Sequence, residues 1–294
     1  MTMLLASPAG SPADLGAKGF IVFLEPHLPA FEIDFRYLPG ANSMKMLNAL
    51  TAAPPDGLTI GWVTTPALAA RAVDRNDPGL PQRLHLLGQV EREPIAFVSP
   101  SSDPASTIQD IIRRASDDAD AVPLATPPAG SPPHLAALRL QVLAQTQLNI
   151  VTFPSAAAAR QAVLSGNVSA AALSLSEVIR PLRDGSLSAI GIAARRRFGL
   201  LPDMPLLDEG GIPLSAFIRR GIAVPAGAPP EITTMLTEAM RNAANDDAFK
   251  DHAAESGYYG AWEEGAAWAE RTQTEQAELT KLWETNPWMS SSGG

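Results

Sequence analysis

Short apolar runs alternate with stretches of helical periodicity along most of the chain. Met3 to Ala6, Phe31 to Phe35 and Leu58 to Val63 read as strands, and the second alternates Phe-Glu-Ile-Asp-Phe as a half-buried strand should. Between them, Leu15 to Leu28 and Met44 to Ala53 are predicted helices. Pro26 and Pro29 stop the first, and the turn Pro54-Pro55-Asp56-Gly57 follows the second. Strand, helix, strand, helix, strand over short connections is the pattern of an open α/β sheet. Ligands of such sheets sit at the carboxyl ends of the strands. Two further strands, Leu84 to Val90 and Pro94 to Pro100, are expected on either side of the charged triplet Glu91-Arg92-Glu93.

A polar stretch from Ser101 to Ser106 and an amphipathic helix from Thr107 to Ala115 then mark the crossing into a second domain, where the pattern repeats. Strands are expected at Ala121 to Ala125, Leu148 to Phe153, Ala170 to Leu173 and Ser188 to Ala193. Helices are expected at Leu135 to Gln145, Ala156 to Ser165 and Ser174 to Arg183. After a Pro/Gly-punctuated linker, the strand Gly221 to Val224 returns the chain to the first domain. The domains are therefore expected at 1–100 with 221–294, and at 101–220. The remainder reads as helices, from Pro229 to Asn245, Asp246 to Glu255 and Trp262 to Trp283, with Trp268, Leu279, Leu282 and Trp283 as core positions. Ser290 to Gly294 is a flexible tail outside the fold.

One phrase is written twice at the ends of predicted strands. Pro8-Ala9-Gly10-Ser11-Pro12-Ala13-Asp14-Leu15 and Pro128-Ala129-Gly130-Ser131-Pro132-Pro133-His134-Leu135 agree at six of eight positions. Each reads as a strand, a Gly turn and a helix start, with Ser as the N-cap and Pro12 or Pro132 at the first helical position. Asp14 falls at the third, as in a capping box. Unpaired amides and the positive end of the helix dipole converge in front of such a turn. Two of them facing one another would make an anion cradle. The plain reading stands beside that one, because Ser-Pro-x-Asp after a strand is a common helix start and most such starts bind nothing.

Composition narrows the classes. The 294 residues leave room for two domains, with 46% hydrophobic and 18% charged residues. A net charge of −9 argues against nucleic acid or an anionic membrane as partner, since both require a basic face. The chain has no Cys, which excludes disulfides, thiolate metal sites and Cys nucleophiles. No apolar stretch approaches the roughly 18 residues that a membrane span needs. Met1 to Ala6 lacks a basic leader region, so the native protein is expected to be cytoplasmic or to have lost a leader. No Gly-x-Ser-x-Gly elbow, His-Glu-x-x-His pair or P-loop lysine occurs. Ser131 and His134 are three apart, but a capping role satisfies both, and His27, His85 and His252 are scattered. The expectation is no enzyme, no cofactor and no metal.

In the same order along the chain, these motifs resemble those of the tripartite tricarboxylate transporter receptors, also called Bug proteins, a group of bacterial periplasmic solute-binding proteins. The family's strand and Pro-Gly-Gly-Ser/Thr-x-Asp turn is similar to Pro8 to Asp14, with Ser11 at the second glycine. Tyr37 to Ser43 and Ala53 to Ile60 are similar to the next two motifs, and Gly130-Ser131-Pro132-Pro133-His134-Leu135-Ala136 is intact. Leu201 to Pro205, Asp208 to Gly210 and Pro225 to Ile232 follow. The resemblance implies an α/β, two-lobed periplasmic-binding-protein-like clamshell, each lobe a mixed sheet flanked by helices, with a small organic acid held between the lobes. It implies a monomer serving permease subunits in the membrane, with no nucleic acid. A cytoplasmic or sensory relative of the same fold is the alternative.

Carried over, the turns that meet the ligand carboxylate are Ser7 to Ser11, including Ala9 and Gly10, and Gly130 to His134, including Ser131. Thr64 and Thr65 occupy the loop after the third strand. The family's Tyr-Lys/Arg-Gly in the second domain is here Phe153-Pro154-Ser155, and an Asp after the next strand is replaced by Leu173 with Ser174 beside it. Near the return crossing, an aromatic is replaced around Arg219 and Arg220. An aromatic face without a hydroxyl, together with a guanidinium, suits a bulkier or more apolar anion than a small dicarboxylate.

Overall fold

The computed structural model describes residues 1–103 and 107–289; the Ser290 to Gly294 tail and positions 104–106 of the polar stretch lie outside the described residues. The chain separates into two compact units, Met1–Arg92 with Arg219–Pro287, and a second built on Glu93–Ile218. The first unit opens with β1 (Thr2–Leu5), α1 (Pro12–Leu24), β2 (Asp34–Tyr37), α2 (Met44–Thr51), β3 (Thr59–Thr65) and α3 (Ala67–Asp74). β1 lies between β2 and β3, and all three are parallel, as strand–helix–strand units require. Met3 and Leu5 enter one apolar cluster with Phe20, Leu24, Trp62 and Phe249, while Leu4 enters another with Leu50, Val63 and Trp268. Burial on both faces makes β1 a continuous apolar run rather than an alternating one. Helix α1 buries Ala17, Phe20, Ile21 and Leu24, a single stripe at helical spacing.

The two strands expected around Glu91-Arg92-Glu93 are one, β4 (Leu84–Pro100). The charged triplet reads as a break, but Glu91 and Glu93 are fully buried within the strand. Each has a partner: Glu91 accepts from Arg220 at 3.3 Å, and Glu93 accepts from the Ser176 amide at 2.8 Å. β4 carries the chain from the first unit to the second. There follow α4 (Ile108–Asp117), β5 (Pro123–Thr126), α5 (Pro132–Ala144), β6 (Asn149–Thr152), α6 (Ala156–Leu164), β7 (Ala170–Ser174), α7 (Leu175–Arg183) and β8 (Leu187–Ile192). β5 pairs in parallel with both β6 and β7, and the end of β4 pairs antiparallel with β7 and β8. Phe97, Leu124, Leu140, Ala172 and Ile190 share this unit's core.

The return strand is longer than expected: β9 (Phe217–Pro225) includes Arg219 and Arg220, whose charges conceal it in the sequence. It passes so close to β4 that a Cβ on Gly221 would lie 2.0 Å from the Gly88 carbonyl oxygen, which only glycine avoids. The division between units thus falls inside these two continuous strands, at 92/93 and 218/219 rather than at the expected 100/101 and 220/221. The composition shift marks the end of a crossing strand, not its middle. The chain closes with α8 (Pro230–Asn245), α9 (Asp247–Glu255), β10 (Tyr259–Glu264) and α10 (Gly265–Thr285). β10 replaces the start of the helix expected from Trp262. It pairs with β4, and the Trp262 ring fills the space over Gly88. Trp268 and Leu279 are core residues of α10, whereas Leu282 and Trp283 are half-buried.

Candidate functional site

In the first unit the parallel strands β2, β1 and β3 bring their carboxyl ends to one edge. Ser7, Ala9, Gly10 and Ser11 follow β1, Tyr37 ends β2, and Thr64 and Thr65 end β3. β9 runs antiparallel beside β3 and places Arg219 opposite Thr65. Seven of the sequence candidates, Ser7, Ala9, Gly10, Ser11, Thr64, Thr65 and Arg219, thus lie on one edge, the edge that ligands of open α/β sheets use. The turn itself is set by glycine: Gly10 has φ of 78°, a left-handed value, and Ser11 then enters the helix as an extended N-cap. Ser11 Oγ accepts the Asp14 amide at 3.3 Å. The capping box is displaced by one residue, because Asp14 accepts the Gly10 amide at 2.7 Å rather than that of Ser11, which donates to the Pro8 carbonyl.

Asp14 is fully buried and collects further donors, Tyr37 Oη at 2.9 Å and Lys18 Nζ at 3.0 Å. Burial pushes its carboxyl up, but the hydrogen bonds from Gly10, Lys18 and Tyr37 outweigh burial and hold it below the ordinary carboxylate value. The hydrogen bonds with Tyr37 and Asp14 raise Lys18 in turn. The sequence pattern did not reveal this network. Its legible signal is the position of Tyr37 at a strand end, beside the turn that Asp14 closes.

Thr65 is fully buried and accepts the Trp268 indole hydrogen at 3.0 Å, which ties β3 to α10. Arg219 pairs with Glu275 at 2.7 Å and Arg220 with Glu91 at 3.3 Å, so both guanidinium groups are engaged by carboxylates of the first unit. Burial lowers Arg219 from its ordinary value, and Glu275 opposes that.

The second unit repeats the arrangement. β6, β5 and β7 are parallel. The Gly130 to His134 turn follows β5, Phe153 follows β6, and Ser174 ends β7. Gly130 has φ of 73°, Ser131 is an extended N-cap, and the Ser131 amide returns to the Pro128 carbonyl. The Gly130 amide donates to His134 Nδ1 at 3.3 Å, so His134 stands where Asp14 stands in the first copy. An accepting Nδ1 carries no proton, which leaves the neutral ring with its hydrogen on Nε2. Ser131 Oγ is buried and has no hydrogen-bond partner among the described residues. Ser131 and His134 therefore do not form a nucleophile–base pair.

Phe153 is half-buried and its amide donates to the Thr126 carbonyl at 2.8 Å, which seats it beside the end of β5. Ser174 is buried, 3.5 Å from the Ser176 hydroxyl. Next to it the Glu93 carboxylate occupies the start of α7 through the Ser176 amide, a position that no motif in the sequence announces. Among the described residues, no group of His, Asp and Glu is placed to hold a metal ion, and no helix is long and apolar enough to cross a membrane.

A model of the tripartite tricarboxylate transporter family receptor matches residues 35–280. The chain belongs to this receptor family. A UPF0065 protein of Bordetella bronchiseptica is 27% identical over 251 residues, covering 84% of this chain and 73% of the relative. Among solved structures, MatC from Rhodopseudomonas palustris, with bound malate, is similar with a TM-score of 0.83 at 20% identity, over 96% of this chain and 98% of that one. The periplasmic binding protein BugD gives 0.83 at 19% identity, over 97% and 96%. The fold of this receptor is accordingly the two-lobed α/β fold of periplasmic binding proteins. As a solute-binding receptor of the family, and not an enzyme, it has no need of a nucleophile at Ser131, in keeping with the geometry of that residue.

Proposed function

We propose that this receptor captures a small organic anion through its carboxylate at the Gly-Ser-Pro turns that follow β1 and β5, Ser7 to Ser11 and Gly130 to His134. We place it in the periplasm as a monomer that delivers the ligand to permease subunits of a tripartite transporter. The observation that carries the reading is the repeated network: a left-handed glycine whose amide is tied to the third helical residue, then a serine N-cap at the positive end of a helix. A carboxylate needs converging donors and little else, and each turn is built to hold its backbone in that form without a ligand. Thr64, Phe153 and Ser174 complete the lining. MatC, with its bound malate, is a family-type fold holding an acid of this kind.

A thermal-shift and calorimetric panel of mono-, di- and tricarboxylates, with aromatic acids included, tests the reading. At least one acid should bind saturably and, at about 100 times its dissociation constant, add roughly 2.7 kcal/mol of stability. The same acid should be recovered with its mass unchanged after hours with the protein. A flat response to every acid sinks the carboxylate reading, and loss of the bound acid sinks the receptor.

A further inference from the structure

We infer that Arg195 and Arg196 recruit the anionic ligand: they speed its arrival at the binding edge of the second unit without holding it once bound. This rests on the receptor reading above and extends it to residues outside the two turns.

The chain carries a net charge of −9, and a field of that sign slows an approaching carboxylate. A patch of opposite sign at the binding edge offsets this. The starts of α5 and α6 supply only partial charges there. Strand register places two whole charges on the same edge. β7 and β8 both pair antiparallel with β4, so β8 runs parallel to β5, β6 and β7. Its carboxyl end therefore lies with the Gly130 to His134 turn, Phe153 and Ser174. Ser174 is opposite Ile95 on one side of β4, and on the other side the Ala193 amide donates to the Ile95 carbonyl at 2.8 Å. Arg195 and Arg196 follow two and three residues later. Two ladder spacings separate β8 from β7 and three separate it from β5, which is about 10 Å and about 14 Å.

Both arginines are exposed, and neither has a hydrogen bond or an ion pair among the described residues. Other arginines of this unit have evident structural uses. Arg160 pairs with Glu177, and Arg180 and Arg183 stand in the last turn of α7, where a cation complements the helix dipole. Arg197 pins the loop itself, donating to the Pro202 and Met204 carbonyls at 3.1 and 2.7 Å and to Glu209 at 2.6 Å. Two unpaired cations thus stand on a fixed loop. Of the exposed acids in the same linker, Asp208 follows Leu206, which pairs with Ile192 on the side of β8 away from β4 and so lies farther from Ser174.

Exposed charges at such distances act on rate. Solvent weakens their hold on a bound acid, whereas diffusional approach responds to their field over a Debye length, about 30 Å in 0.01 M salt and about 10 Å in 0.1 M. Two unit charges about 10 Å away raise the local concentration of a monoanion, and with it the association rate, about three-fold in low salt.

Stopped-flow tryptophan fluorescence and isothermal titration of the intact chain with succinate, malate, adipate, hexanoate and benzoate test this. For each acid that binds, Arg195→Ala/Arg196→Ala should lower the association rate about three-fold in about 0.01 M salt, and Arg195→Glu/Arg196→Glu about ten-fold. Dissociation rates should stay within about 1.5-fold, so the dissociation constants should rise by the same factors. In about 0.5 M salt the differences should vanish. Arg180→Ala/Arg183→Ala removes the same charge at the far end of α7 and should leave the association rate unchanged. Equal slowing by both alanine pairs makes net charge the cause and overturns the inference. An unchanged association rate in the Arg195/Arg196 variants, or a change confined to dissociation, overturns it as well. In each of these cases the receptor reading stands. No binding by any of the acids overturns both.

Discussion

The two copies of the Gly-Ser-Pro turn share six of eight residues and almost the same backbone, yet different groups stand behind them. Ser11 and Ser131 have φ and ψ of −72° and 157°, and of −71° and 156°. Both return their amide to the proline three residues earlier, and both glycine amides are tied to the third helical residue. In the first copy that residue is Asp14, an anion bound to Lys18 and Tyr37, and the cap hydroxyl is engaged by the helix. In the second it is His134, neutral, and the cap hydroxyl is unengaged. On the proposed reading, the repeated backbone sets where an anion is received. The residue at the third helical position determines how much of each turn is committed to holding the fold. By this comparison the first turn is chiefly structural and the second is the one with a hydroxyl to offer.

The largest expected effect is at Asp14. Asp14→Ala strips partners from the Gly10 amide, Tyr37 and Lys18 at once and should lower unfolding free energy by about 3 kcal/mol, against about 1 kcal/mol for His134→Ala, which removes the acceptor of the Gly130 amide. Urea denaturation of both variants reads the contrast, and equal losses would break it. Next is Ser131→Ala, expected to weaken binding of the best acid about ten-fold, or about 1.4 kcal/mol, with no loss of stability, because no hydrogen bond of the fold is removed. Titration and urea melts on the same preparation check both halves. Ser11→Ala should do the reverse, costing about 1 kcal/mol of stability as a lost cap while affinity stays within about two-fold.

The smallest effect is the dependence on acid. The folded-state pKa of Asp14 is depressed, so its contribution is complete above the unfolded value of about 3.9 and is lost as pH falls through the folded pKa. Stability of the wild type should fall more steeply below about pH 4 than that of Asp14→Asn. Parallel slopes in acid would show that Asp14 is not the group responsible.

Most helices and the parallel strands were legible because their signals are local. Apolar runs bounded by Gly and Pro marked β1, β3, β5 and β7, and the Ser-Pro starts placed α1 and α5 to within a few residues. The misreadings have one cause. Glu91-Arg92-Glu93 read as a break and Arg219-Arg220 hid the start of β9, because charges inside a strand look like solvent-facing residues until their partners are seen. Those partners are distant in sequence: Arg220 for Glu91, the Ser176 amide for Glu93, and Glu275 for Arg219. The segment of β10 reads as the start of a helix, because Trp262 shows its role only against Gly88, far away in the chain. Within the candidate site, the turns were readable as motifs, whereas the engagement of Thr65 by Trp268 and of Arg219 by Glu275 was not.

By itself, then, the sequence determined the secondary structure of the doubled turns, the order of the α/β units and the family to which the chain belongs, since all of these follow from residue types at short spacings. Only the tertiary structure decided which of the two serines is committed to its helix, which cations are already neutralised and which helix start is filled by the buried Glu93. Those outcomes depend on pairings between segments tens to hundreds of residues apart. Charge and hydrogen bonding act through space, and spacing along the chain does not encode them.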